Sequence, residues 1–182
     1  MIPLFDQSLQ SKYLSERNRK VRVGIGYDVH PLTTGRPLVL GGIEIPYGKG
    51  LSGWSDGDVL THAVIEALLG AAGLGSIGQH FPSGDEKYYN ASSLKLLEET
   101  GGMLDKNTWS VINIDITVVA KEPPVMPYAG TIKQKLSAFL HIAPGQVNVK
   151  ASTGNGLGFA GGGDGIEAYA VALIDSQVRD VS

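Results

Sequence analysis

Residues 21–28 (VRVGIGYD) alternate apolar and small side chains, and that two-residue period predicts a strand. Residues 37–46 (PLVLGGIEIP) predict a second strand region, interrupted at Gly41-Gly42 by a bulge or bend. The clearest helix is predicted over 55–74. Ser55 and Asp58 give it a capping-box-like start, with Asp in place of Glu, and Gly73 and Gly75 end it. Val59, Ala63, Leu68 and Leu69 belong to a broad apolar surface on that helix. Residues 75–92, with their Gly, Pro and Ser, read as a loop long enough to carry function. A second helix is expected at 92–100, the strongest strand at 111–120, and a third helix at 128–141, stopped near Pro144. Strands at 147–151 and 166–174 enclose a glycine-rich loop, 154–165. The order ββα(α)βαββ describes one α+β domain without an internal linker. Asp115, inside a strand, marks a sheet face that meets polar neighbours or another subunit. Residues 1–20 read as a polar, poorly ordered arm, and the folded domain is expected over 21–182.

Composition narrows the classes. The 182 residues are 42% hydrophobic and 18% charged, which suits a packed globule rather than a disordered chain. Fifteen Lys and Arg against eighteen Asp and Glu leave −3, which argues against non-specific nucleic-acid binding. There is no Cys, so disulfides, Cys-ligated zinc and thiol catalysis are excluded. No apolar run approaches the roughly 20 residues of a membrane span, and no membrane partner is expected. Gly is the outlier at 25 residues, concentrated in loops that also carry polar groups, as in a backbone shaped around a ligand.

Three segments carry candidate chemistry. Asp28 and His30 are two apart on the first strand, so a carboxylate and an imidazole share one face. That pair suits a divalent metal, zinc being favoured by mixed N/O ligands, or it is a surface pair. Residues 55–62 (SDGDVLTH) lead into a helix with His62 about two turns inside it. His62 is then either incidental or a third ligand. Asp, His and His would leave one tetrahedral position open for a substrate. Residues 150–159 (KASTGNGLGF) place hydroxyls and glycine after a strand, where backbone N–H groups and the Thr153 hydroxyl can cradle a phosphate. This is no P-loop, because the Lys precedes the glycines. Residues 120–126 (AKEPPVM) offer stiff backbone to a flat heterocycle. Residues 81–85 form a turn with one acidic side chain, and His80 and His141 have no visible partner.

Taken together, GYDVH (26–30), RPLVLGG (36–42), SDGDVLTHA (55–63), IGQHFP (77–82), NVKAST (148–153) and LGF with GGGDGI (157–166) resemble the 2-C-methyl-D-erythritol 2,4-cyclodiphosphate synthase family, over about residues 21–175. The resemblance implies a mixed β-sheet covered on one face by helices, assembled as a homotrimer with active sites at subunit interfaces. It implies a CDP-linked methylerythritol 2-phosphate as substrate, cyclised with release of CMP. The family's zinc ligands map onto Asp28, His30 and His62, and a second ion, Mg²⁺ or Mn²⁺, bridges the diphosphate. Its cytidine pocket maps onto Ala120, Lys121, Glu122, Pro123, Pro124, Val125 and Met126 of a neighbouring subunit. Its substrate loops map onto Ser76, Ile77 and Gly78, onto Phe81 to Asp85, and onto Ser152 to Asn155, with Ser55 beside them. Thr153 matches a residue that stabilises the transition state. The setting implied is cytoplasmic, or a plastid stroma.

The chain departs from the family pattern at several positions. Trp54 stands where the family commonly has a His expected to touch the phosphates, and Trp carries no charge. Asn155 replaces the usual Glu at the second metal and is a neutral ligand. Ser76 and Ser83 each replace an Asp, and Gly162 replaces an Arg facing the trimer axis, where Phe159 and Asp164 remain. These changes motivate an alternative, a non-catalytic trimeric binding protein for nucleotide or isoprenoid phosphates. A zinc-dependent phosphoester hydrolase is a third reading.

Overall fold

The computed structural model describes residues 20–176, so residues 1–19 and 177–182, including nearly all of the expected arm, lie outside the described residues. Strand β1 (Val21–Thr33) runs five residues further than its pattern predicted. The 37–46 region is not one bent strand. It is a tight hairpin of β2 (Leu38–Leu40) and β3 (Ile43–Ile45), turned by Gly41 and Gly42 at φ 59° and 70°. Two successive positive φ angles make the two-residue turn that glycine adopts most readily. A short β4 (Gly50–Leu51) then pairs with the end of β1.

Helix α1 (Val59–Ala72) starts four residues later than expected. Its cap is Asp58, whose carboxylate accepts from the Thr61 N–H, while Ser55 lies outside the helix. His62 is therefore in the first turn, not two turns in. The expected 75–92 loop holds a four-residue helix, α2 (Ile77–His80), and a 3₁₀ turn at Glu86–Tyr88. Helix α3 (Ser93–Lys106) continues through Gly101-Gly102. Strand β5 (Trp109–Val119), helix α4 (Ala129–Phe139) and strand β6 (Val147–Ser152) follow close to expectation. The glycine-rich segment is a 3₁₀ turn at Gly154–Gly156 and a short α5 (Gly158–Gly162), before strand β7 (Gly165–Ser176).

The main sheet has the order β4-β1-β7-β5-β6. All its pairs are antiparallel except β5–β6, so the sheet is mixed. One face is covered. Ile114, Ile116 and Val118 of β5, and Ile166, Ala168, Ala170, Ala172 and Ile174 of β7, bury themselves with α1, Leu97 of α3 and Ile132 of α4 in one core. The other face carries Val21, Val23, Ile25, Tyr27, Val29, Tyr169 and Val171, all exposed, with Ile25 73% open. Asp115 lies on that face as well, accepting from Asn148 Nδ2 at 2.8 Å and pairing with Lys150.

Candidate metal centre and active site

The inward face of β1 reads Gly24, Gly26, Asp28, His30. A Cβ on Gly26 would sit 1.9 Å from the Ala63 carbonyl oxygen, and one on Gly24 would sit 2.1 Å from that of Ala67. Glycine at both positions lets α1 lie directly on the strand, running antiparallel to it. Two residues of strand advance roughly 6.6 Å and four of helix roughly 6 Å, so each step along β1 meets one turn further back along α1. Two and three steps beyond Gly24, Asp28 and His30 therefore reach the start of α1, where His62 stands.

The three side chains meet there. Asp28 Oδ2 is 2.9 Å from both His30 Nε2 and His62 Nδ1, and the two nitrogens are 3.3 Å apart. Such an N₂O set suits a divalent cation with a position left open. The outward ring nitrogens fit that role as well. His30 Nδ1 bonds the Ser52 carbonyl, which only accepts, so Nδ1 carries a proton, and Nε2, which donates to the Asp28 carboxylate, is the nitrogen that would give up its proton to a metal. Burial alone would raise the Asp28 carboxyl, but hydrogen bonds from His30 and His62 and their charge outweigh it and hold the group well below the usual carboxylate range. Burial lowers His30, and the Asp28 carboxylate and Ser52 carbonyl more than reverse it, leaving the imidazole raised.

Trp54, Ser55, Ile77, Gly78, Phe81, Ser83, Tyr88 and Leu96 complete an open cavity of about 190 Å³ around the triad. Trp54 donates its indole N–H to the Asp85 carbonyl at 2.9 Å, its own carbonyl accepts from Asn90 N, and its ring meets Tyr89 edge-on. The one donor of Trp54 is thus engaged in bracing the 82–90 segment over the cavity. The Asp85 carboxylate caps the following 3₁₀ turn through Lys87 N. Ser76 precedes α2, and its N–H donates to Gln79 Oε1 at 2.9 Å. Asp58, between Asp56 and the helix, makes no side-chain bond to His62. Its buried carboxylate accepts from Gly41 N, Gly42 N, Thr61 N and Thr61 Oγ1, tying the hairpin to α1. His80 bonds the Leu74 carbonyl and stands outside the cavity's lining.

The remaining predicted residues form a second cluster. Ala120, Lys121, Glu122, Pro124, Val125 and Met126, with Ser152 and Thr153, line a separate cavity of about 310 Å³, and Pro123 lies within the same segment. Asp28 pairs in register with Ala168, Ala168 with Val118, and Val118 with Ala151. Three strand spacings put Asp28 and the Ser152–Thr153 end of β6 roughly 14 Å apart, so the two clusters stand separately in the chain. Thr153 Oγ1 accepts from Asn155 N at 3.4 Å, and Asn155 holds a left-handed conformation, φ 52°. Phe159 packs its ring against Gly165, where a Cβ would sit 2.0 Å from it, and the Gly162 carbonyl accepts from Lys121. Sequence reasoning missed Ser93 and Asp56, which stand behind His62. Asp56 lies in the 55–62 segment already singled out, where it had no role of its own, and Ser93 gave no signal beyond standing at the start of a predicted helix.

The YgbB family model matches residues 21–175. A protein of Pelotomaculum thermopropionicum named 2-C-methyl-D-erythritol 2,4-cyclodiphosphate synthase is 56% identical over 85% of this chain and 95% of its own length. The chain belongs to the 2-C-methyl-D-erythritol 2,4-cyclodiphosphate synthase family. A synthase of the same name from Syntrophomonas wolfei is also 56% identical, over 85% of this chain and 99% of that one. Among solved structures, the bifunctional IspDF of Campylobacter jejuni superposes with TM-score 0.85 at 36% identity, over 88% of this chain. The chain spans 43% of that bifunctional protein. The IspF of Plasmodium falciparum, solved as a CDP complex, gives TM-score 0.76 at 30% identity over 86% of this chain and 97% of that one. Members of this synthase family are enzymes. Among the described residues, no helix is long and apolar enough to cross a membrane.

Proposed function

We propose that this chain performs its family's reaction, the cyclisation of 4-diphosphocytidyl-2-C-methyl-D-erythritol 2-phosphate to 2-C-methyl-D-erythritol 2,4-cyclodiphosphate with release of CMP, in non-mevalonate isoprenoid synthesis. The observation that carries it is the convergence of Asp28, His30 and His62 on one point at the edge of an open cavity. An oxygen of the 2-phosphate bonds to the β-phosphorus, the bond from that phosphorus to the oxygen of the cytidylyl phosphate breaks, and CMP leaves with that oxygen. The nucleophile is already anionic at neutral pH, so the barrier is bringing anion to anion and aligning them in line.

Asp28, His30 and His62 would hold Zn²⁺, which supplies positive charge and an open coordination position for a phosphate oxygen. Ser55, Ile77, Gly78 and Phe81 shape the cavity wall beside it, with Ser76 and Asp85 flanking. Ala120–Met126 provide backbone for the cytosine ring, with Thr153 and Ser152 offering hydroxyls to the phosphates. Asn155 would contribute a neutral oxygen to a second ion, Mg²⁺ or Mn²⁺. We place the second cluster opposite the triad of a neighbouring copy in a homotrimer. The support is the roughly 14 Å between the clusters in one chain and the exposed apolar sheet face. A cytoplasmic setting belongs to the same reading, supported by the bacterial sources of the relatives.

The test is phosphorus NMR of the purified, metal-loaded protein with the CDP substrate. The cyclic diphosphate and CMP should form together and stop on addition of a chelator. A folded, zinc-loaded sample that releases no CMP overturns the proposal.

A further inference from the structure

The geometry points to Ser93 and Asp56 as positioning residues that hold a proton on His62 Nε2, so that Nδ1, which faces Asp28, is the nitrogen that yields its proton to the metal. The inference rests on the metal reading of the Asp28, His30 and His62 cluster.

Ser93 opens α3 and is completely buried. Its Oγ lies 2.9 Å from His62 Nε2. On its other side the same hydroxyl donates to Asp56 Oδ1, and the Ser93 N–H donates to Asp56 Oδ2 at 2.8 Å. Asp56 also accepts from Asp58 N at 3.2 Å, and its own N–H donates to the Ala91 carbonyl. This carboxylate therefore only receives protons, and it receives both that Ser93 has to give. A serine hydroxyl has one proton and two lone pairs. With the proton committed to Asp56, Ser93 presents lone pairs to His62. Two lone pairs facing each other at 2.9 Å repel, so His62 Nε2 must carry a hydrogen and donate it. Ser55 Oγ, 3.1 Å from the same nitrogen, accepts from Gly57 N and keeps a proton of its own, so it can face Nε2 either way, and the nearer Ser93 decides the state of that nitrogen.

The consequence lies on the far side of the ring. The nitrogen facing Asp28 and His30 is Nδ1. A neutral imidazole protonated on Nε2 has its free lone pair on Nδ1, which is the form a metal ligand needs. His30 is set in the mirrored sense, its Nδ1–H on the Ser52 carbonyl and its Nε2 toward Asp28. Both rings are thus oriented from behind, one by a backbone carbonyl and one by an Asp–Ser pair joining the α1 entrance to α3.

Asp56→Asn tests the direction of this chain of hydrogen bonds with little change of shape. The amide keeps one oxygen for Ser93 N and turns its NH₂ to Ser93 Oγ. The serine proton is then released toward His62 Nε2, which no longer keeps its own, and the ring's one remaining proton stays on Nδ1 against Asp28, where the metal must displace it. Ser93→Ala removes the acceptor altogether. Zinc affinity, measured by chelator competition, should fall about 10–100-fold in each variant. Nitrogen-15 NMR of metal-free protein should show a protonated Nε2 on His62 in the parent chain and a bare Nε2, with the proton held on Nδ1, in Asp56→Asn. A purely structural role would lower the melting temperature and leave the zinc affinity and the nitrogen signals unchanged, and that result overturns the inference. A bare Nε2 in the parent protein overturns it without any variant. Failure of the parent chain to bind zinc would sink the metal reading instead, while the nitrogen signals still decide the Asp–Ser–His assignment.

Discussion

At the scale of single residues, His62 is the side chain on which most depends, because it alone comes from α1 while Asp28 and His30 share β1. His62→Ala should leave two of three ligands, with kcat/KM down by more than about 1,000-fold. Zinc content and CMP release measured on one sample check this, and full zinc with normal turnover would contradict the assignment. The Asp28–His30 pair was legible in the sequence because alternation along a strand places i and i+2 on one face. His62 was legible as a ligand only through the resemblance, since nothing local says which strand a helix will cover. Ser93 was not legible at all. Its hydroxyl gains meaning from Asp56 and His62, which are 37 and 31 residues away.

The elements are joined by contacts that tolerate no extra atoms. Gly26→Ala would drive a Cβ to 1.9 Å from the Ala63 carbonyl oxygen, where only backbone can yield. That should cost about 3 kcal/mol and displace the first turn of α1, so melting temperature and zinc affinity should fall together. Gly48→Ala is the control, since nothing lies within 4 Å of its added Cβ, and it should stay within about 0.5 kcal/mol of the parent. The alternation of β1 predicted the strand, yet it did not say why glycine occupies the inward positions. Only the depth at which α1 sits explains that. The Gly41-Gly42 turn and the shifted helix start have one cause, the buried Asp58 carboxylate, which caps α1 and collects the two turn amides. On β5 and β6, Lys150 holds the Asp115 carboxyl below its ordinary value of 3.8, helped by Asn148 against burial. A lowered carboxyl stabilises the folded state above its unfolded value and loses that contribution as pH falls through the folded one. Asp115→Asn should therefore cost the fold at most about 1 kcal/mol near neutrality, and this cost should vanish in melting curves taken in acid.

Over the whole molecule, the sheet is two-faced. One side is packed under α1, α3 and α4, and the other exposes valine, isoleucine and tyrosine with Asp115 and Lys150 among them. If copies share their sites across this face, two inactive variants can complement each other. A refolded mixture of His62→Ala and Thr153→Ala should recover part of the parent activity, because some sites will combine an intact triad from one copy with an intact Thr153 from another. No recovery, in a mixture shown to exchange subunits, would place each site within a single chain. The sequence by itself determined the four long strands, the buried helix, the candidate ligand set and the family, because periodicity and residue type are local properties. The tertiary structure alone decided which helix turn meets β1, which atom of each histidine faces inward, and that the 120–126 segment stands apart from the triad. Those are matters of register and crossing, set by close packing among residues far apart in the chain, and no short stretch of sequence contains them.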